Sequence, residues 1–279
     1  MPTLRQFLTQ ILPNLAALAK AAPGAWLSTP ARLTLLRRLE DPVAAKLVGV
    51  VERLRAGNTA DADPWIDRIE SERQRLLRCQ DLLAGTFESG HTVAHACTAS
   101  KPPHDALLLY HLVREFRPQT GLELGTNLGV SCAYQAAAMH VNGTGRMVTV
   151  ERSLQRVEVA RDLHARLGLN NVRFVTGSFA EALDGILREL GCVDHAFVDG
   201  HHQMQATLDY FDRIYPALRE NAIVLFDDIR WSPGMQRAWR ILCADSRIRL
   251  AVDMIRVGVC VTTRQPTAEP RHVTRPIAY

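Results

Sequence analysis

The chain has 279 residues, 47% of them hydrophobic and 22% charged, with a formal charge of +4; this is enough for one large domain plus an appendage, with a sizeable core. Acids and bases are interleaved rather than blocked, which argues against a nucleic-acid or membrane-surface partner. No stretch reads as a bilayer span, the interrupted run Phe7–Leu18 lacks a leader's cleavage pattern, and the six cysteines form no CxxC pair, so a cytoplasmic protein with reduced thiols is expected.

Within an N-terminal region of residues 1–100, the sequence up to about residue 90 reads as helical, without a convincing strand. Leu33, Leu36 and Leu39, then Val43, Leu47, Val50, Val51 and Leu54, recur at helical spacing, as do Ile66, Ile69, Leu76 and Leu77. Gly57-Asn58 and Asp61–Pro64 punctuate them. This region is expected to act as a structural lid or a dimer interface in a homo-oligomer. A loop over Gly85–Ser100 leads to a helix at His104–Phe116. From residue 101 to 263 the pattern alternates: apolar runs at Gly121–Leu124, Met147–Val150, Val172–Val175, Val193–Val198, Ala222–Phe226, Leu250–Ile255 and Val257–Val261. Helices Gly129–His140, Leu154–Leu167, Phe179–Leu190, Gln203–Leu218 and Pro233–Ala244 follow the first five in turn. Such alternation predicts an α/β fold, a doubly wound, mostly parallel seven-stranded sheet closed by an antiparallel edge pair. The polar, proline-containing residues 264–279 read as a flexible tail.

Ligands of such sheets bind at the carboxyl ends of the strands. The first strand ends in ELGTNLGVS, Glu123 to Ser131, where Gly125 permits a sharp turn and Gly129 a close approach. Asn127 stands where a dinucleotide fingerprint needs its second glycine, which counts against a pyrophosphate ligand. Glu151 ends the second strand, placed to accept hydrogen bonds from ribose hydroxyls. The third is followed by TGSF, Thr176 to Phe179, suited to flank an adenine ring.

Taken with FVDGHH (Phe197–His202) and FDD (Phe226–Asp228), this set resembles the class I S-adenosylmethionine (SAM)-dependent methyltransferases, and among them the metal-dependent O-methyltransferases of catechol, caffeoyl-CoA and macrocin type. The resemblance covers roughly Leu107 to Val261 and implies a Rossmann-like SAM-binding domain. It places Glu123, Gly125 and Ser131 around the methionine moiety, with Thr126 and Asn127 in the same turn. Glu151 would lie at the ribose, Gly177, Ser178 and Phe179 at the adenine, and Asp199 on the cofactor side of the fourth strand.

Asp199 ends the fourth strand, and Asp227 and Asp228 end the fifth, so three carboxylates can converge. Carboxylates that close repel unless a cation lies among them, and an all-oxygen set suits Mg²⁺, or Mn²⁺ as substitute. The resembling enzymes hold a divalent metal at these positions, although catechol-type members carry Asn where Asp228 stands. A metal and a nearby base would together deprotonate a substrate hydroxyl. His202 sits three residues past Asp199, where catechol-type enzymes carry a lysine base; His201 has the spacing of an acidic base in some sugar-type relatives. His202 is preferred slightly. The expected function is O-methylation of a small hydroxylated molecule, a phenol, catechol or natural-product sugar. Two alternatives are a metal-independent N- or O-methyltransferase, with RNA as one substrate, and a non-catalytic binding protein that keeps the fold. His91, His95 and Trp231 are weaker pocket candidates.

Overall fold

The computed structural model describes residues 29–56, 64–85, 90–266, 271–273 and 277; the Phe7–Leu18 run and residues 57–63 of the punctuation lie outside them. All seven expected strands form: β1 (Thr120–Leu124), β2 (Arg146–Glu151), β3 (Val172–Thr176), β4 (Val193–Val198), β5 (Leu218–Phe226), β6 (Ile248–Met254) and β7 (Val257–Thr262). An eighth, β8 (Arg271–Val273), gives the order β3-β2-β1-β4-β5-β7-β6-β8. The first five are parallel, while β7 runs antiparallel between β5 and β6. The expectation of a flexible tail at 264–279 is corrected for residues 271–273 and 277. Arg271–Val273 pairs in parallel with β6, and the Ile277 N–H donates to the Asp253 carbonyl at 2.7 Å, with the Ile277 side chain fully buried.

Helices cover both faces. On one lie α5 (Pro103–Phe116), α6 (Val130–Asn142) and α7 (Leu154–Leu167); on the other lie α8 (Phe179–Leu190), α9 (Met204–Ile214) and α10 (Pro233–Cys243). The helix expected to run on to Leu218 instead stops at Ile214 and tightens into a 3₁₀ turn at Tyr215–Ala217. Pro216 explains this, having no N–H for a continuing helix. The preceding helices α1 (Thr29–Arg37), α2 (Pro42–Arg55), α3 (Pro64–Arg78) and α4 (Val93–Cys97) are no loose appendage. Leu36, Leu47, Val50, Ile69 and Leu76 join one continuous apolar core with α5, α6 and a face of the sheet. The small side chains of α6, VSCAYQAAAM, let it be buried on nearly every side between sheet and helices. Asp41 caps α2 through the N–H groups of Val43 (2.8 Å) and Ala44 (3.2 Å), and its other oxygen pairs with Arg249 of β6. Among the described residues no helix is long and apolar enough to cross a membrane, and all six cysteines are free.

The strand order reverses between β1 and β4, which opens a crevice at their carboxyl ends. Backbone bonds carry the pairing past the strands: Gly125 donates to Val150, Asp199 to Leu124, Asp227 to Val198 and Gly177 to Glu151, at 2.9–3.0 Å. The glycine turn and the acids are thereby held at one edge.

Candidate active site

Gly125 leaves β1 at φ +113, and a Cβ there would lie 1.9 Å from the Asp199 carbonyl oxygen. Only glycine lets the two strand ends approach this closely. Asn127 follows at φ +46 and fastens the turn on three sides. Its N–H donates to Glu151 Oε2 at 3.1 Å and its amide to the Ala96 carbonyl at 3.1 Å, while its amide oxygen accepts from Arg156 at 3.2 Å. Glu151 also accepts from the Ser153 N–H at 3.0 Å; each of its oxygens has a second lone pair.

Three residues expected at the cofactor have their side chains engaged inside the protein. Glu123 is fully buried: Oε1 accepts from Ser131 (2.9 Å) and Gln135 (2.8 Å), and Oε2 from Thr149 (2.7 Å). Ser131 is spent on that carboxyl, and the Thr126 hydroxyl is buried against Thr149 at 2.6 Å. The motif's acid therefore knits β1 to β2 and α6. Burial pushes the Glu123 carboxyl up to about 7 against these hydrogen bonds, which favour its charged form. A carboxyl raised on folding holds its proton more tightly in the native state, so its contribution falls as pH rises from 4.5 to about 7 and then levels. The loss is on the order of 3 kcal/mol. Chemical unfolding of wild type and Glu123→Gln at pH 5 and pH 8 should show that extra loss in wild type alone; equal slopes would refute it.

Ser178 caps α8, accepting from the Glu181 N–H (3.3 Å) and donating to its carboxylate (2.6 Å). Phe179 packs beneath Gly200, where a Cβ would stand 2.4 Å from its ring. These two residues shape the floor of the crevice beyond β3, while Gly177 and Gly200 keep the backbone bare.

At the acidic end the structure separates the two histidines. His201 (φ +62) and His202 (φ +39) are consecutive left-handed residues, and Asp228 (φ +49) is a third. Each costs about 1–3 kcal/mol of backbone strain, which a fold keeps where it aims a functional group. His201 turns outward, with its Nδ1 paired to the Tyr210 hydroxyl. His202 turns inward, its Nε2 3.6 Å from Asp199 Oδ1. Asp199, His202 and Asp227 bring ligand atoms within 4.8 Å of one another, and Asp228 is not in that set. The Asp228 carbonyl instead closes a turn by accepting from the Trp231 N–H at 2.8 Å. The expected trio of carboxylates is thus a pair plus a histidine.

Sequence reading missed Lys101. It lies between α4 and α5, and its Nζ donates to Asp227 Oδ1, with side-chain exposures of only 5% and 3%. Burial would lower the ammonium's pKa, but the carboxylates of Asp227, Asp199 and Asp228 outweigh it and hold it charged. Burial and the neighbouring Asp227 push Asp199 well up; for Asp227, burial is overcome by Lys101 and by a hydrogen bond with Asp199, and its carboxyl goes down. Burial and Asp227 also raise Asp228. The only compositional hint was rarity, for Lys101 is one of three lysines in a chain with 33 Lys and Arg.

These residues do not fit Mg²⁺ as they stand. One of the three donors is nitrogen, whereas Mg²⁺ prefers oxygen throughout, and an ammonium already sits on Asp227.

Residues 122–229 match the model of a family described as a methyltransferase domain. That match takes in less than half of the chain and is a likeness of this segment. Solved structures show the same fold for this domain and its flanks. An O-methyltransferase from Bacillus cereus in complex with SAH is 20% identical over 75% of this chain and 94% of that one, with a TM-score of 0.55. A SAH-bound methyltransferase from Podospora anserina is 16% identical over 73% and 89%, at 0.56. The O-methyltransferase TomG of Streptomyces achromogenes, involved in tomaymycin synthesis and in complex with SAM, is 21% identical over 75% and 93%, at 0.52. Among curated proteins, the uncharacterized protein R132 of Acanthamoeba polyphaga mimivirus is 31% identical over 99 residues. That match takes in 34% of this chain and 43% of the viral protein, so less than half of the relative's length is matched.

Proposed function

We propose that the domain transfers the methyl group of SAM to a hydroxyl of a small molecule, with His202 taking the hydroxyl proton. The observation that carries this is the inward turn of His202 through two consecutive left-handed residues onto Asp199, at the crevice where the strand order reverses. The O-methyltransferase structures bound to SAH or SAM support the cofactor assignment. Gly125 and Asn127 would pass the methionine part, Glu151 would accept from the ribose hydroxyls, and Gly177, Ser178 and Phe179 would bound the adenine. The acceptor oxygen attacks the sulfonium methyl carbon in line, the C–S electrons return to sulfur, and the proton passes to His202 Nε2. Asp199, 3.6 Å from that nitrogen, orients the ring, and the negative charge of Asp227 compensates the imidazolium. Trp231, 71% exposed with its ring centroid 6.3 Å from that of His202, offers a flat apolar face on the rim, which favours an aromatic acceptor. The free cysteines, four of them buried, support a reducing, cytoplasmic setting.

Calorimetry with SAM, then transfer of labelled methyl to a panel of phenols, catechols and sugars, tests the reading. His202→Ala should lose about 10²–10⁴-fold in kcat while SAM affinity is unchanged. Full activity in that variant would overturn the base assignment, and absence of SAM binding by the wild type would overturn the function.

A further inference from the structure

The acidic pair already carries a cation belonging to the chain, held on Asp227. Lys101 Nζ is bonded to Asp227 Oδ1, and both side chains are nearly inaccessible. The lysine is also held from behind. Its carbonyl accepts from Arg73 Nη1 at 2.6 Å, and Arg73 Nε is clamped by both oxygens of Glu70 at 2.8 and 3.0 Å. Glu70 in turn accepts from the Tyr134 hydroxyl of α6 at 2.6 Å. Pro102 and Pro103 follow, which confines Lys101 to extended backbone and starts α5 immediately after it. Withdrawing the ammonium would mean breaking a buried ion pair and moving a segment anchored to α3, α5 and α6.

We propose that Lys101 is a tethered cation standing in the divalent position of the Asp199–Asp227 pair, so that this domain works without a metal and admits one only when the lysine is removed. A divalent ion placed on Asp227 beside a fixed ammonium meets like charge at contact distance in a water-poor site, where repulsion is poorly screened. The consequence for the substrate rests on the methyl-transfer reading. A metal selects acceptors that offer two chelating oxygens; an ammonium already bonded to Asp227 does not, so a molecule with a lone hydroxyl is as good an acceptor as a vicinal diol.

The test uses Mn²⁺ alone as probe, followed by electron paramagnetic resonance on the full chain. Wild type should show no Mn²⁺ at this pair, whereas Lys101→Met and Lys101→Ala should each bind one ion per chain, at least about tenfold more tightly than wild type. The added site should vanish in Lys101→Met/Asp227→Asn. Mn²⁺ should also raise the melting temperature of the single variants and leave that of the wild type unmoved, a response that simple structural damage would not give. Stoichiometric Mn²⁺ on the wild type, abolished by Asp227→Asn, would overturn the proposal, as would folded lysine variants that remain blind to Mn²⁺. If neither variant folds, the wild-type titration decides alone. Failure of SAM to bind would sink the function and leave this cation measurement intact.

Discussion

Asp227→Ala should destabilise the protein by about 3–5 kcal/mol, because it strands the Lys101 ammonium in a site with 5% exposure. That is a large part of the 5–15 kcal/mol typical of a folded domain. The loss comes from an uncompensated charge rather than from missing attraction, which a second variant separates. Lys101→Met/Asp227→Leu replaces the pair with apolar groups of similar size and should recover most of the stability. Urea unfolding of wild type, Lys101→Met, Asp227→Leu and the double variant reads the cycle directly. An Asp227→Ala protein as stable as wild type would refute the buried pair. The acid limb has a defined sign as well. Lys101 and the Asp199 hydrogen bond lower the Asp227 carboxyl on folding despite its burial, so its share of stability is present above the ordinary value of 3.8 and drains away as pH falls through the lowered one. Asp199, raised by burial and by Asp227, works the other way and favours folding at the acid end.

Gly125→Ala should abolish SAM binding and cost about 3 kcal/mol or more. The new methyl would stand 1.9 Å from the Asp199 carbonyl oxygen, and φ +113 is a conformation L residues rarely adopt. Backbone cannot yield there as a side-chain tip could. The clash is relieved only by parting the β1 turn from the end of β4, which breaks the 2.9 Å bond from the Asp199 N–H to the Leu124 carbonyl. Asp199 and His202 move with that segment, so binding and chemistry fail together. Thermal melting and calorimetry suffice as measurements. A variant that melts within about a degree of wild type and binds SAM equally well would show that the turn is not closed on Asp199.

The sheet was legible because parallel strands buried on both faces leave short apolar runs, as VDHAFV in β4 and AIVLF in β5 do. Strand-end acids and the first glycine could be read from the same rule. What stayed hidden depends on partners distant in the chain. Lys101 meets Asp227 across 126 residues, and nothing in SKPPH marks it. Glu123 and Ser131 carry the same letters whether they face a ligand or the core; the third partner, Thr149 on the neighbouring strand, decides it. The different placements of His201 and His202 come from two backbone angles and from Tyr210, which takes the first of them. Strand β8 is three residues between prolines 270 and 276, too short to carry periodicity.

The stretch that matches the methyltransferase family, residues 122–229, contains the glycine turn, both paired aspartates and the histidine. It does not contain Lys101, which arrives on a segment fastened to the N-terminal helices. The charge that balances the paired acids therefore lies outside the stretch that the family match covers. Two proteins can agree throughout the shared domain and still differ in ionic requirement, according to what a preceding segment lays across the acids, and likeness within the domain is no guide to metal dependence.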